Sequence, residues 1–99
     1  MSKKAPSPIH PGEILREEFL APLGMSPYAL SVALYVPRTR IERLVREETA
    51  LTADTALRLA RYFDMSVEFW LGLQSQFEID TAKGTSDTSI TRIKTRKVA

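Results

Sequence analysis

The sequence predicts an all-α domain built from five short helices and followed by a C-terminal tail. Apolar residues recur at the three- and four-residue spacing of amphipathic helices through residues 10–78. Serine, threonine and proline at the starts of these segments, and glycine or aspartate at their ends, are typical helix boundaries. A chain of 99 residues is expected to form one domain with one modest core.

The first two helices are indicated by their end signals. A flexible lead, residues 1–9, is expected before His10-Pro11-Gly12-Glu13, where proline suits the first helical turn and glutamate suits the positive helix end. Pro22 and Gly24 predict the end of this helix. A capping serine before proline, Ser26-Pro27, then predicts the start of the second helix.

A third helix, rich in arginine, is predicted after a short turn at Tyr35-Val36. It should run from Pro37 to about Arg46, with one apolar stripe surrounded by basic residues. The stripe consists of Ile41, Leu44 and Val45, and the basic residues are Arg38, Arg40, Arg43 and Arg46.

Two more helices complete the predicted domain, residues 10–78. Thr52 is expected to cap the fourth helix, which should end at Asp64-Met65, and Ser66 is expected to cap the fifth. The predicted apolar residues are Ala53, Ala56, Leu57, Ala60 and Phe63 on the fourth helix, and Val67, Phe69, Trp70, Leu73 and Phe77 on the fifth. Residues 79–99 are expected to form a basic tail, disordered or with a short strand around Ser89 to Lys94.

Composition excludes several classes of function. Without cysteine there is no disulfide, thiolate metal site or cysteine nucleophile, and His10 alone cannot build a metal cluster. The carboxylates of the first helix lack a nucleophile or a metal partner, so we expect no catalytic residue and no cofactor. No apolar run reaches the roughly 20 residues that a membrane span needs, so we expect a soluble, cytoplasmic protein with no membrane partner.

The distribution of charge is more informative than the net charge of +2. Residues 11–78 contain ten acidic and seven basic side chains, and four of those seven lie between Arg38 and Arg46. A cluster of arginines on one face of a short helix, placed after a capped helix and a tight turn, is typical of a helix-turn-helix that binds double-stranded DNA.

We therefore assign candidate DNA contacts. Arg38, Thr39 and Arg43 are best placed to reach base edges, because arginine pairs bidentately with guanine. Arg40 and Arg46 are expected to hold phosphates, and the helix start at Ser26 should favour an anion. An ordinary solvated face and an ordinary helix cap are the alternative interpretations.

The fifth helix carries more aromatic surface than a small domain needs. Phe69, Trp70 and Leu73 either complete the core or also form a contact between two copies of the chain. The sequence leaves both interpretations open.

Three separated motifs resemble one known family. They are His10-Pro11-Gly12-Glu13-Ile14-Leu15, then Leu51-Thr52-Ala53-Asp54-Thr55-Ala56-Leu57-Arg58-Leu59-Ala60, then Glu68-Phe69-Trp70-Leu71 followed by Leu73-Gln74. Residues 9–78 thereby resemble the lambda-repressor-like Xre helix-turn-helix family, and within it the HigA-type antitoxins, also labelled virulence-associated protein I-like regulators. The resemblance implies a homodimer on a palindromic operator in its own promoter, and a HigB-type, RelE-related ribonuclease toxin as partner.

The chain departs from that family at three places. Tyr35 stands at a turn position that is usually glycine, and Glu47-Glu48 replaces a glycine and a basic residue that tend to touch the DNA backbone. The tail after Glu78 matches no family pattern. Two alternative functions stay open: a stand-alone transcriptional repressor without a toxin, and a protein-interaction module that has lost DNA binding.

Overall fold

The computed structural model describes residues 7–85 and 88–98, and over these ranges it contains six helices and no strand. The first helix, α1, is a continuous run of Pro11–Ile14, a π-helical segment Leu15–Leu20, and Ala21–Leu23. The others are α2 Pro27–Leu34, α3 Arg38–Val45, α4 Ala53–Phe63, α5 Val67–Gly84 and α6 Thr88–Thr91. The all-α prediction is confirmed, and the five predicted helices are α1 to α5.

The predicted helix caps form as expected. The hydroxyls of Ser26, Thr52 and Ser66 accept backbone N–H groups three residues later, at 3.0, 3.4 and 3.0 Å. Each satisfies one of the N–H groups that a helix start leaves unpaired. At the other ends, Gly24 and Asp64 adopt the left-handed conformation, with φ of 61° and 53°. These local signals depend on neighbouring residues only, which is why the sequence shows them.

One core joins α1 to α5. Trp70 of α5 is fully buried, and Phe19 of α1 and Phe69 of α5 contact its ring at centroid distances of 4.8 and 5.1 Å. The predicted stripe of α3 is buried as expected. The buried apolar residues are Leu15, Leu20, Leu30, Leu34, Ile41, Leu44, Val45, Leu51, Ala56, Leu59, Ala60 and Trp70.

The predicted apolar stripe of α4 is wrong in two positions. Ala53 and Leu57 are exposed, and Leu59 is buried instead. Residues 56, 59, 60 and 63 share one helical face at spacings of three and four, whereas residues 53 and 57 lie on the neighbouring face. Ala53 and Leu57 are apolar but lie beside the buried stripe of α4 rather than in it.

The structure also contradicts the expectation for the start of the tail. The last long helix, α5, continues through residues 79–84 and ends at Gly84, rather than stopping at Glu78. Hydrogen bonds from Gln74 to Glu78 (3.1 Å) and from Gln76 to Asp80 (2.9 Å) link successive turns across this point. Near Ser89, where a strand or disorder was expected, the short helix α6 forms, and 93–98 are neither helix nor strand.

The start of α1 packs directly against the end of α3. His10 caps α1 through its Nδ1, which accepts the N–H of Gly12 at 2.9 Å, and its ring meets Phe77 edge-on at 4.8 Å. A Cβ on Gly12 would lie 1.8 Å from the carbonyl oxygen of Leu44, so only glycine permits this approach. The contact fixes where α3 sits on the domain.

Candidate nucleic-acid interface

The helix α3 presents two opposite faces. Ile41, Leu44 and Val45 are buried in the core, so the helix cannot rotate without exposing them. The other face is exposed and carries Arg38, Thr39, Arg40 and Arg43, with Arg46 exposed at the C-terminal cap. All the candidate contacts on α3 therefore lie on the solvent side of the domain.

Arg38 is held by two neighbours at the start of α3. Its Nε donates to a carboxylate oxygen of Glu42 at 3.0 Å, four residues along the helix. Its guanidinium also lies over the ring of Tyr28 on α2, 5.7 Å from the ring centroid. These contacts hold the guanidinium of Arg38 at the junction of α2 and α3. If Arg38 turned from Glu42 to a base edge, the ion pair with Glu42 would be lost.

Thr39 and Arg43 share a concave surface between α3 and α4. Both side chains line it, one helical turn apart, and its floor includes Leu44. The other lining residues are Pro37, Arg40, Thr49, Ala50, Thr52, Asp54 and Thr55. The surface is open to solvent, and seven of its ten lining residues are threonine, arginine or aspartate. Their side chains suit a ligand that offers hydrogen-bond acceptors and negative charge.

Arg40 lies in an ion-pair network rather than projecting alone. Its guanidinium contacts a carboxylate oxygen of Asp54 on α4 at 2.5 Å, and Arg58 contacts the same oxygen at 2.9 Å. Arg58 also donates to the carbonyl oxygen of Leu34, the last residue of α2, at 2.8 Å. The network links α2, α3 and α4.

Hydrogen bonds from Arg58 and Arg40 lower the pKa of Asp54, so its carboxylate stays charged.

The Ser26 side chain serves the start of α2. Its hydroxyl accepts the N–H of Ala29 at 3.0 Å and thereby satisfies one of the backbone donors that a helix start leaves unpaired. Tyr28, in the first turn, is 56% exposed. The cap interpretation is therefore realised, and it is compatible with the phosphate contact predicted at this helix end, which stays a prediction.

A second arginine, Arg16 of α1, holds the C-terminal end of α3. It donates to the carbonyl oxygen of Val45 at 2.5 Å and pairs with a carboxylate oxygen of Glu47 at 3.3 Å. It thereby satisfies a carbonyl that the end of a helix leaves without a partner. The carboxylate of Glu47 would repel a DNA phosphate, and the neighbouring guanidinium of Arg16 partly balances its charge.

Two non-glycine residues near α3 adopt left-handed backbone conformations. Tyr35, which ends α2, has φ 57° and ψ 45°, and Glu47 has φ 63°. These are the two positions at which the sequence departs from a glycine pattern. Tyr35 is 89% exposed, so burial of its side chain does not offset the backbone strain.

A helix-turn-helix family model, HTH_3, matches residues 15–70. The chain belongs to this family. This match confirms the predicted resemblance to the Xre helix-turn-helix family. The predicted resemblance to HigA-type antitoxins and virulence-associated protein I-like regulators is confirmed by similar proteins with those names. Virulence-associated protein I of Dichelobacter nodosus is 52% identical over 75 residues, which are 76% of this chain and 69% of that protein.

Two solved structures are similar to the helix-turn-helix domain and its flanks. One is PA4674 of Pseudomonas aeruginosa in complex with its 28-bp operator DNA, at 47% identity and a TM-score of 0.82, covering 86% of this chain and 93% of that one. The other is the Pseudomonas aeruginosa antitoxin HigA with the higBA promoter, at 44% identity and a TM-score of 0.83, covering 92% and 99%.

The predicted interface residues of the helix-turn-helix protein require a correction. Trp70 is fully buried among Phe19, Phe63 and Phe69, so it has no surface left for a second copy of the chain. The indole is the largest buried side chain, and the core interpretation of this residue is the right one. Phe69 and Leu73 are half-buried and keep some surface, so an interface that involves them stays a prediction.

Residues 7–85 and 88–98 contain no group of three or more histidine, cysteine, aspartate or glutamate side chains that could hold a metal ion. None of the described helices is long and apolar enough to cross a membrane.

Sequence reasoning missed three residues that build the site. Gly12 was interpreted only as part of a helix start, and Arg16 and Asp54 were not connected with α3. Their partners, Leu44, Val45 and Arg40, lie 14 to 32 residues away along the chain. Nothing in local spacing indicates such contacts. The motifs that resemble the family contain Gly12 and Asp54. Their presence in these motifs was the one signal in the sequence that these two residues have a structural role.

Proposed function

We propose that the chain is a homodimeric, sequence-specific DNA-binding antitoxin that represses its own operon and neutralises a HigB-type, RelE-like ribonuclease toxin. The observation that carries the DNA-binding part is the exposed face of α3, anchored by a buried opposite face. Similar chains have been solved on operator or promoter DNA. We propose a cytoplasmic location, where both the operator DNA and the RNA substrate of such a toxin are found.

Each exposed residue has a proposed role in the complex. Arg38, Thr39 and Arg43 contact base edges in the major groove, where one good bidentate pair discriminates against a wrong base by about 1–3 kcal/mol. Arg40, Arg46 and the helix start at Ser26 contact phosphates and set the register. Asp54 and Arg58 hold Arg40 in one orientation before DNA arrives, which reduces the entropy lost on binding.

A dimer follows from the reach of one helix. A single α3 covers only a few base pairs, whereas two copies about 34 Å apart meet successive major grooves on one face of the duplex. Phe69 and Leu73 remain our candidates for the contact between the copies. Sedimentation velocity on the free protein and on the operator complex measures the stoichiometry directly, and a monomer in both states contradicts the proposed dimer.

The test of DNA binding is fluorescence anisotropy on the duplex just upstream of the operon and on a scrambled duplex of equal length. The variants are Arg43→Ala alone and Arg38→Ala with Arg43→Ala. The single variant matters because loss of Arg38 also leaves the charge of Glu42 without its partner. The charge-matched control is Arg61→Ala with Lys83→Ala, two exposed residues outside α2 and α3.

We expect sequence-specific binding for the wild type and the control, and loss of operator preference in the double variant. Equal, weak binding to both duplexes contradicts the repressor and leaves the protein-interaction module, for which the acidic balance of residues 11–78 is the favouring observation.

The toxin part rests on similarity to HigA antitoxins. Its test is the reading frame immediately upstream. A basic frame of roughly 90–110 residues that resembles RelE, whose growth inhibition is relieved by co-expression of this chain, supports the antitoxin. Absence of such a frame favours the stand-alone repressor.

A further inference from the structure

The positive charge of this chain lies largely outside its helix-turn-helix domain. Residues 11–78 contain ten acidic and seven basic side chains, although the whole chain has a net charge of +2. The part from 88 to 98 contains four basic residues and no acidic one. These four, which we call the basic arm, are Arg92, Lys94, Arg96 and Lys97.

The basic arm is open to solvent. Every described side chain between 89 and 98 is exposed, including Ile93 at 71% and Val98 at 94%. The segment begins with the single-turn helix α6, and residues 93–98 have no regular structure. Basic residues at positions 92, 94 and 96 alternate along the chain, so an extended arm would place three of the four charges on one side.

That spacing fits the backbone of duplex DNA. Alternate residues of an extended chain lie about 6.6–7 Å apart, because each residue advances about 3.3–3.5 Å. Duplex DNA carries one phosphate per about 1.7 Å of helix axis when both strands are counted, so each step of this length along the axis passes several phosphates. The arm offers charge without a concave pocket or a planar recognition surface, which favours a repeated phosphate ligand over a single base.

The long helix α5, which precedes α6 and the arm, ends beside the N-terminal segment that leads into α1. Lys83, Gly84 and Thr85, at the end of α5, line one groove with Ser7, Pro8 and Ile9. The chain continues from Ile9 into the start of α1, where Gly12 touches the carbonyl of Leu44 at the end of α3. Residues 92–97, which follow α6, span up to about 20 Å when extended. This length lets the arm extend beyond the domain toward DNA that flanks the bases at α3.

We propose that Arg92, Lys94, Arg96 and Lys97 bind phosphates of duplex DNA outside the bases contacted by α3, as a second, sequence-independent contact. This inference rests on the proposed DNA-binding function. The arm offsets the acidic balance of residues 11–78, which would otherwise oppose approach to a polyanion. It contributes affinity and a larger footprint on the DNA, and it leaves base discrimination to α3.

The test is the salt dependence of operator binding by the full chain. In the neutral-arm variant, all four basic residues are replaced by glutamine. In the matched control, Arg92→Lys with Arg96→Lys, the charge stays and only the guanidinium groups are lost. Each protein is titrated onto an operator duplex with at least ten flanking base pairs per side, and onto the core operator alone.

On the flanked duplex we expect the neutral-arm variant to lower the slope of log K against log salt by about 2 to 3.6 per chain, since each phosphate contact contributes about 0.9. The lysine control should keep the wild-type slope. On the core operator, the slopes of log K against log salt for the wild type and the neutral-arm variant should differ by less than about 1. The preference for operator over scrambled sequence should stay within about twofold in every variant.

The failures of the two proposals are distinguishable. If the wild type prefers the operator and the neutral-arm variant keeps its slope on the flanked duplex, the arm does not bind DNA and this inference is overturned. A loss of operator preference in the neutral-arm variant also overturns it, because the arm then takes part in base recognition. A wild type without operator preference overturns the proposed function and the arm contact together.

Discussion

Substitution of Gly12 by alanine tests how α1 and α3 are joined. The new Cβ would lie 1.8 Å from the carbonyl oxygen of Leu44, 2.9 Å from its carbonyl carbon and 3.1 Å from Nδ1 of His10. The nearest contact is backbone, so no side-chain rotation can relieve it. Ordinary contacts begin near 3.4 Å, and one of the two helices must therefore move by roughly 1.6 Å.

The expected cost follows from the rigidity of packed interiors. An extra methyl group forced into a well-packed site costs about 1–3 kcal/mol, and backbone movement places this case at the upper end. For a domain of this size, 1 kcal/mol corresponds to about 4–8 °C in Tm. We expect Gly12→Ala to lower the Tm by at least about 8 °C. Because Leu44 belongs to α3, operator affinity should also fall.

A matched control lies on α5. A Cβ on Gly72 meets nothing within 4 Å, and the position is inside a helix. Gly72→Ala should therefore raise the Tm by a few degrees, since alanine is favoured over glycine in a helix by about 0.5–1 kcal/mol. The assay is thermal unfolding followed by circular dichroism. A Gly12→Ala protein with a Tm equal to or above that of the wild type refutes the packing argument.

Three further predictions concern backbone strain and charge. Tyr35→Gly should raise the Tm by a few degrees, because the left-handed conformation of Tyr35 costs roughly 1–2 kcal/mol for a non-glycine residue. A clearly lower Tm in a thermal unfolding experiment would show that the tyrosine side chain packs or binds. Glu47→Lys should tighten DNA binding, and Glu47→Gln serves as the control that only removes the charge. If fluorescence anisotropy at low salt shows no gain in DNA affinity for Glu47→Lys, this prediction is contradicted. Hydrogen bonds with Arg58 and Arg40 lower the pKa of Asp54 from its ordinary value of 3.8. The ion pairs of Asp54 therefore stabilise the fold fully above pH 3.8, and this stabilisation is lost as the pH falls through the lowered pKa of the folded state. The stability gap between wild type and Asp54→Asn in urea should consequently narrow from pH 7 to pH 3, and a gap that stays constant would argue against the ion pairs as its origin.

The sequence predicted those features that depend on neighbours along the chain. The caps at Ser26, Thr52 and Ser66 each involve an N–H three residues away, and the buried stripe of α3 follows from helical spacing. The helix ends at Gly24 and Asp64 are equally local. Local chemistry and tertiary packing agree at these positions, so the sequence was sufficient.

The features that the sequence did not show depend on which elements meet in space. The pairing of Arg16 with Glu47 and that of Arg40 with Asp54 appear only once α1 and α4 are packed on α3. Trp70 was ambiguous because a large aromatic residue suits both a core and an interface. The continuation of α5 past Glu78 was overlooked although no glycine or proline lies between Glu78 and Gly84.

The burial of Trp70 has a practical consequence for the DNA-binding and stability measurements. It is the single tryptophan of the chain, and its indole is fully enclosed by the aromatic residues of the core. Its fluorescence should therefore follow unfolding with little interference from events at the exposed face of α3. One sample with labelled DNA can then report folding through the intrinsic signal and binding through the label. A substitution that weakens DNA binding by loosening the fold can thus be separated, in the same cuvette, from one that removes a contact.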